Sequence, residues 1–188
     1  MRDLGLNGRN GLERTGVIKS VQRGTISVAG ATSVTATITA VDLNNSIIHY
    51  LGDTQSDPAE LQATHWLSRI ELTNATTVTG YCIAGNTFNT QTISWEVIEF
   101  YPGIIKSVQR GATDMGGSTS NSITITAVNM NRTHLDFLGF TSTYSANPYG
   151  NTSRGKVVLT NSTTVTATVA NGSNGAGAIL GYQVVEWF

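Results

Sequence analysis

The sequence has little of several residue types that particular classes of protein need. Its single cysteine rules out an internal disulfide, and with only 12% charged residues in 188, charge-driven disorder does not describe it. Eleven Lys and Arg against twelve Asp and Glu leave a net charge of −1, without the clustered cations that bind nucleic acid or anionic membranes. No apolar run approaches the roughly 18 residues of a membrane-spanning helix. We therefore expect no nucleic-acid partner and no membrane insertion.

The first fifteen residues also lack familiar signals. Met1-Arg2-Asp3-Leu4-Gly5 has no apolar region of the signal-peptide kind, so secretion by that route is not expected. Gly5, Gly8 and Gly11 resemble a phosphate-binding loop only superficially, because no strand precedes them and no Gly-Lys-Ser/Thr sequence follows. Residues 1–15 instead predict a short extended arm, which we expect to dock on a neighbouring subunit or on another protein of the same assembly.

An internal repeat is the strongest signal that the sequence contains. Residues 16–24, Gly-Val-Ile-Lys-Ser-Val-Gln-Arg-Gly, return as residues 103–111, with Ile104 in place of Val17. The same offset, 87 residues, carries 72–79 onto 159–166 and 95–101 onto 182–188 without a gap. A fixed internal period of this kind predicts a duplicated unit. We define the first repeat as residues 16–102 and the second repeat as residues 103–188.

Within each repeat the hydrophobic period is two. Residues 34–40 alternate apolar and hydroxyl side chains, and residues 123–127 continue the pattern in the second repeat, as expected for strands with one solvated face. We predict six strands in the first repeat, at about 17–23, 34–41, 46–51, 68–73, 77–83 and 93–101, each with a counterpart 87 residues later. Helix signals are limited to one or two turns at 58–63. The predicted fold is all-β, with two tandem duplicated antiparallel β-sandwich modules after the N-terminal arm.

The last strand of each repeat carries apolar residues on both faces. One face can cover the core of its own module, and the other needs a neighbour. That neighbour is either the sister module or another subunit, and the sequence leaves both open. The candidate interface residues are Phe100, Tyr101, Trp187 and Phe188.

Candidate catalytic or metal-binding residues are few, and none forms a recognised constellation. The three histidines align with Asp136, Thr152 and Ile47 in the other repeat, and no His or Cys pair has metal-ligand spacing. Cys82 aligns with Val169 and predicts a buried apolar thiol. Asp53 and Asp57 lack the further acidic residues of a calcium loop. We therefore expect no enzyme activity, no metal and no cofactor.

Three charged positions recur in both repeats. Because first and last strands of a small sandwich are often neighbours, we expect Glu99 to meet Lys19 or Arg23 as a structural ion pair that sets strand register. The same reasoning predicts that Glu186 meets Lys106 or Arg110. A basic ligand site is the functional alternative. Six Asn-x-Ser/Thr sequons also occur, and those at Asn74 and Asn161 are better explained by side-chain hydrogen bonds in hairpin turns.

Taken together, these segments resemble small β-rich structural proteins of tailed bacteriophages. The resemblance rests on the Ile-Lys-Ser-Val-Gln-Arg-Gly strand, the Thr-rich second strand, the Leu-Thr-Asn-Ser-Thr-Thr-Val-Thr hairpin and the aromatic closing strand with Val-Val-Glu. It covers both repeats. It implies a virion component, assembled in the host cytoplasm, that belongs to a tail fibre, a baseplate or the capsid surface.

The function that the resemblance implies is non-enzymatic and depends on subunit interfaces. The expected partners are other copies of the chain, as a homotrimer or another ring, and other virion proteins. A homotrimer of two-module chains presents six quasi-equivalent lobes. Tail attachment, capsid decoration and binding of a host-surface glycan remain alternatives. Recognition-loop candidates are Trp66, Tyr144 and Tyr149, because aromatic side chains on loops supply contact area at low entropic cost.

Overall fold

The protein is built from antiparallel strands. The computed structural model describes residues 16–55, 67–82, 90–141, 155–170 and 178–188. The first repeat contains β1 (Ile18–Ala29), β2 (Ser33–Thr37), β3 (Ser46–Gln55), β4 (Ser68–Asn74), β5 (Thr77–Cys82) and β6 (Thr90–Phe100). The second contains β7 (Ile105–Asp114), β8 (Ser120–Thr124), β9 (Thr133–Thr141), β10 (Gly155–Asn161), β11 (Thr164–Val169) and β12 (Ile179–Trp187). Short 3-10 helices at Leu43–Asn45 and Met130–Arg132 precede β3 and β9.

The described strands form three sheets. The first repeat supplies the order β1-β6-β3 and the second supplies β10-β11-β8. A six-stranded sheet, β2-β5-β4-β9-β12-β7, takes three strands from each repeat and is joined at its centre by the pair Arg69↔Gly139 between β4 and β9. The first repeat thus has the strand orders β1-β6-β3 and β2-β5-β4, and the second has β7-β12-β9 and β8-β11-β10. The all-β expectation is confirmed.

Each predicted strand position in the described residues holds a strand, but the second one ends early. The prediction for 34–41 runs past β2, which stops at Thr37. Beyond it the Ile38 and Val41 amides donate to the Thr76 and Ala75 carbonyls in the β4–β5 turn, so they leave the sheet ladder. The possible helical turn at 58–63 lies outside the described residues.

The hairpin turns use the asparagine chemistry expected from the sequence. Asn74 Oδ1 accepts from the Thr76 amide at 2.9 Å and from its hydroxyl at 3.1 Å. Asn161 makes the same two bonds with Thr163 at the same distances. These side chains satisfy the turn backbone locally, which fixes the register of β4–β5 and β10–β11.

The apolar cores lie between the sheets of each repeat, and residues cross the boundary in both directions, since Leu67 of the first repeat packs against the core of the second. In the first repeat the buried side chains of β1 and β6, such as Ile26, Ile93 and Val97, face Ile70 and Val78 on β4 and β5. The second repeat fills the same space with two adjoining clusters. Leu138, on β9 of the second repeat, packs into the core of the first. A fourth cluster unites both repeats: Ile47, Phe100, Ile105 and Val185.

Candidate functional site

The recurring glutamates form the expected ion pairs with lysine. Lys19 Nζ lies 2.8 Å from Glu99 Oε1, and the buried carboxylate also accepts from Ser20 Oγ at 3.2 Å and the Asp42 amide at 3.0 Å. Burial by itself would raise the pKa of Glu99, but the hydrogen bonds outweigh it and the pKa falls below its usual value. The carboxylate is therefore a satisfied structural group that ties β6 to β1 and to the entry of the first 3-10 helix.

The second repeat reproduces this arrangement. Glu186 accepts from Lys106 Nζ at 2.9 Å, from Ser107 Oγ at 3.4 Å and from the Asn129 amide at 2.9 Å. The Lys106 hydrogen bond and the Asn129 N–H lower the pKa of Glu186. Of the two partners that the sequence allowed for each glutamate, both repeats use the lysine.

The two buried glutamates predict sensitivity to acid. Both pKa values are lower in the folded chain than the value of about 4.3 in an unfolded one, so their contribution to stability is full above that value and is lost as the pH falls through the folded pKa. We expect the free energy of unfolding, measured by urea titration, to drop progressively below about pH 4.

A Glu99→Gln, Glu186→Gln double variant provides the control, because it removes both titrations. Its acid slope should be shallower, and the remainder belongs to groups such as Asp42 and Asp136, whose pKa values are also lowered. An acid slope identical to that of the wild type would contradict the assignment.

The recurring arginines depart from the expected pairing and from each other. Arg23 pairs with Glu96 on the neighbouring strand, not with Glu99, and its side chain is largely exposed. Arg110 contacts no carboxylate of the described residues and donates instead to Gln183 Oε1 at 2.8 Å. Its guanidinium also donates to two carbonyls of the first repeat. The expectation that either arginine joins the glutamate pairs is therefore corrected.

Arg110 and Gln183 fasten the second repeat to the first. Arg110 Nη1 donates to the Leu43 carbonyl at 3.0 Å and Nη2 donates to the Ser46 carbonyl. Gln183, fully buried, accepts from the Ile48 amide at 3.1 Å and returns a hydrogen bond to the Ile48 carbonyl at 3.3 Å. Burial among neutral acceptors lowers the pKa of Arg110 to about 10. We call this contact region the junction.

A cluster of two histidines and an aspartate completes the junction. Trp187 Nε1–H donates to His134 Nδ1 at 3.0 Å, which leaves the proton on Nε2 to bond Asp136 Oδ2 at 3.1 Å. Gln183 donates to the same oxygen at 2.8 Å, and His49 Nδ1 of the first repeat lies 3.9 Å from Oδ1. Burial alone would raise the pKa of Asp136, yet the bonds from His134 and Gln183 lower it.

The closing aromatic residues divide between the junction and the surface. The Phe100 and Trp187 rings meet edge to face, with centroids 5.4 Å apart, and His134 stacks on Trp187 at the same separation. For these two residues the neighbour is the sister repeat. Tyr101 and Phe188 are exposed.

A glycine on β9 allows the two repeats to approach closely. Gly139 has φ +94°, and a Cβ built there would lie 2.3 Å from the Ser68 carbonyl oxygen and 2.6 Å from Arg69 Cα. Its counterpart Gly52 has φ +104°, with nothing within 4 Å of such a Cβ. Both glycines sit at a register shift in their strand pairs. The bulge at Gly139 in the second repeat is thus packed against β4, whereas the equivalent bulge at Gly52 in the first repeat has no neighbour in the described part of the chain.

Cys82 and Asp53, the other candidates for chemistry, are held by hydrogen bonds within the fold. The half-buried Cys82 donates to the Ala31 carbonyl at 3.3 Å, and burial raises its pKa, which disfavours the reactive thiolate. Asp53 accepts from Gln91 Nε2 at 2.6 Å and from Ser68. Within the described ranges, no group of three or more His, Cys, Asp or Glu is arranged to hold a metal, and no helix is long and apolar enough to cross a membrane.

A shallow pocket of about 240 Å³ lies beside β10. It is lined by Gly155, Lys156, Thr168, Val169 and Ala170. Lys156 is the only charged residue among these five, so the pocket suits an apolar side chain better than a reaction. Trp66, Tyr144, Tyr149, Asp57 and residues 1–15 lie outside the described residues.

No family model, curated protein or solved structure matches this chain.

Sequence reasoning missed the most extensive polar network. The sequence presents His49 and His134 only as separate candidates and Asp136 only as the residue that aligns with His49. The repeat gave a usable signal: Glu96 in the first repeat becomes Gln183 in the second, beside the recurring arginine. The second repeat has a neutral glutamine where the first has the acid Glu96, and this replacement indicates that the position is buried in the second repeat.

Proposed function

We propose that the chain is a non-enzymatic structural protein of a tailed-bacteriophage virion, where it serves in the tail as a fibre or as a baseplate or fibre attachment. The observation that carries this proposal is the junction, where one repeat presents Arg110, Gln183 and Leu138 to the backbone and core of the other. A unit that buries polar and apolar groups against its own relative is suited to assembly. The sequence resemblance described above supports the virion setting.

The proposal includes a tandem pair of β-sandwich modules, residues 16–102 and 103–188. The matching strand orders support it, as do the equivalent hydrogen bonds. Besides the glutamate clusters, the Gln22 side chain accepts from the Thr39 amide at 2.7 Å and donates to the Thr39 carbonyl at 2.9 Å. Gln109 makes the same two hydrogen bonds with Thr126 at the same distances. Such agreement between remote side chains is expected from two copies of one fold.

The use of the charged groups supports a structural role. Glu99 and Glu186 bind lysine and backbone amides, Asp136 is held by His134 and Gln183, and Arg110 is bound by neutral acceptors. Each of these groups is fixed by the fold. A catalytic acid or base would need an open side towards a substrate.

Purified phage particles test the proposal. Mass spectrometry should detect the chain in the particle, and gold-labelled antibody should mark the tail by electron microscopy, with particles lacking the gene as the labelling control. Label on the capsid would replace the tail assignment by capsid decoration. Absence from the particle would overturn a virion role, and specific binding of the isolated protein to a glycan array would then favour an adhesin.

A further inference from the structure

Most hydrogen bonds and core contacts of the junction join different surfaces of the two repeats, while two equivalent pairs, His49 with Asp136 and Phe100 with Trp187, also meet there. The second repeat contributes a front surface, which we define by Ile105, Arg110, Leu138, Gly139 and Gln183. The first repeat contributes a back surface, defined by Leu43, Ser46, Ile48, Ser68 and Arg69. Such a contact is heterologous, or head to tail. Because each repeat has both surfaces, one front surface and one back surface remain without a partner among the described residues.

The first repeat leaves its front surface exposed. Ile18 is 49% exposed, whereas its counterpart Ile105 is 4% exposed, and Leu51 is 56% exposed, whereas Leu138 is 1% exposed. Arg23 stands at the position of Arg110 and is also exposed. The side chains that the second repeat buries at the junction are therefore presented to solvent by the first.

The second repeat leaves its back surface exposed in the same way. Ile48 is fully buried, but the equivalent Leu135 is only partly so. Arg69 is buried, but the equivalent Lys156 is exposed. Met130, in the place of Leu43, is among the exposed large apolar residues. The surface that accepts a neighbour in the first repeat is open in the second.

Within the part of the chain that the structure describes, the open surfaces also contain unpaired sheet edges. Strand β3 ends the sheet β1-β6-β3, and β10 ends the sheet β10-β11-β8. Their counterparts β9 and β4 pair with each other inside the chain, through Gly139 and Arg69. Unpaired edges are templates for another strand. The equivalent pair between chains would join Gly52 to Lys156.

We propose that copies of this chain join head to tail, with the front surface of the first repeat of one copy seated on the back surface of the second repeat of the next. Arg23 then donates to the Met130 and Thr133 carbonyls of the next copy, as Arg110 donates to Leu43 and Ser46. Leu51 becomes covered, as Leu138 is. The inference rests on the proposed function in one respect, that the chain acts by assembling with itself.

One substitution sets the strength of this contact. In the first repeat Glu96 stands where the second repeat has Gln183. Its carboxylate accepts a hydrogen bond from the Leu135 amide of the next copy, but it has no N–H to donate to the Leu135 carbonyl. Its pairing with Arg23 keeps the buried charges balanced. We therefore expect the contact between copies to be weaker than the junction and to depend on protein concentration. When this contact is repeated from copy to copy, the assembly closes into a ring if the rotation between neighbouring copies is a whole fraction of 360°. Otherwise it extends as a filament.

Light scattering and sedimentation of the full chain across the micromolar range test the contact. The wild type should exceed the monomer mass, and Leu51→Asp should lower the mass to that of a monomer while the circular dichroism spectrum and melting temperature of the fold are retained. Val158→Asp is the matched control. Val158 is 46% exposed, and its counterpart Glu71 keeps 34% of its side chain exposed beside the junction, so this variant should assemble as the wild type does.

A mixing experiment tests the head-to-tail direction. Leu51→Asp blocks the front surface and Met130→Asp blocks the back surface, so each variant alone should be monomeric. An equimolar mixture retains one intact pair of surfaces and should give a dimer of twice the monomer mass.

A monomeric wild type, an undiminished mass for Leu51→Asp, equal dissociation by Val158→Asp, or a mixture that stays monomeric would each overturn the proposal. These outcomes are separate from the particle test. A chain that assembles head to tail but is absent from virions contradicts only the virion role, and a monomeric virion protein contradicts only the contact.

Discussion

Replacing Leu138 by Ala should lower the free energy of unfolding by about 2–5 kcal/mol, the usual cost of a cavity in a packed core. Leu138 is 1% exposed and belongs to the core of the first repeat although it lies on β9 of the second. The variant therefore weakens the connection between the repeats as well as a core. Urea unfolding followed by tryptophan fluorescence measures the loss.

Leu51→Ala is the matched control for this prediction. The two leucines are equivalent in the repeats, yet Leu51 is exposed, so its truncation should change the stability of the monomer by no more than about 0.5 kcal/mol. Both variants must be compared at dilutions where the chain is monomeric, because assembly would cover Leu51. Equal losses at the two positions would mean that Leu138 is not buried at the junction.

Gly139→Ala should destabilise the protein more than Gly52→Ala does. Both positions have positive φ, so the backbone strain of adding a Cβ, about 1–2 kcal/mol, is common to the two variants. Only at Gly139 does the new Cβ meet the β4 backbone, and we expect overpacking to add about 1–3 kcal/mol. The difference between the two urea midpoints isolates this close approach.

Hydrogen exchange locates the effect of the same substitution. If β9 is forced away from β4, amides near Arg69 and the Gln183 contact at Ile48 should lose protection, while the Glu99 cluster should keep it. Uniform loss of protection would indicate general unfolding. Unchanged protection with unchanged stability would contradict the close contact of β4 and β9.

The sequence predicted the strands well because local signals specify them. Alternation of Thr with Val or Ile marked β2, β8 and β11, and Asn74 and Asn161 marked hairpins through bonds two residues away. The glutamate pairs followed from equivalence between repeats and from the nearness of first and last strands. Where several partners were within reach, as for Arg23, the sequence had no means to choose.

The sequence by itself determined an all-β chain, an offset of 87 residues and the residues of the repeated turns, because these are set by periodicity and short-range bonding. Equivalence between the repeats added the recurring lysine and glutamate of the ion pairs. Only the tertiary structure decided that equivalent residues have different surroundings: Leu51 exposed and Leu138 buried, Arg23 exposed and Arg110 enclosed. The physical reason is that burial depends on which surface of one repeat meets the other. That docking is a long-range contact, which local sequence patterns do not encode.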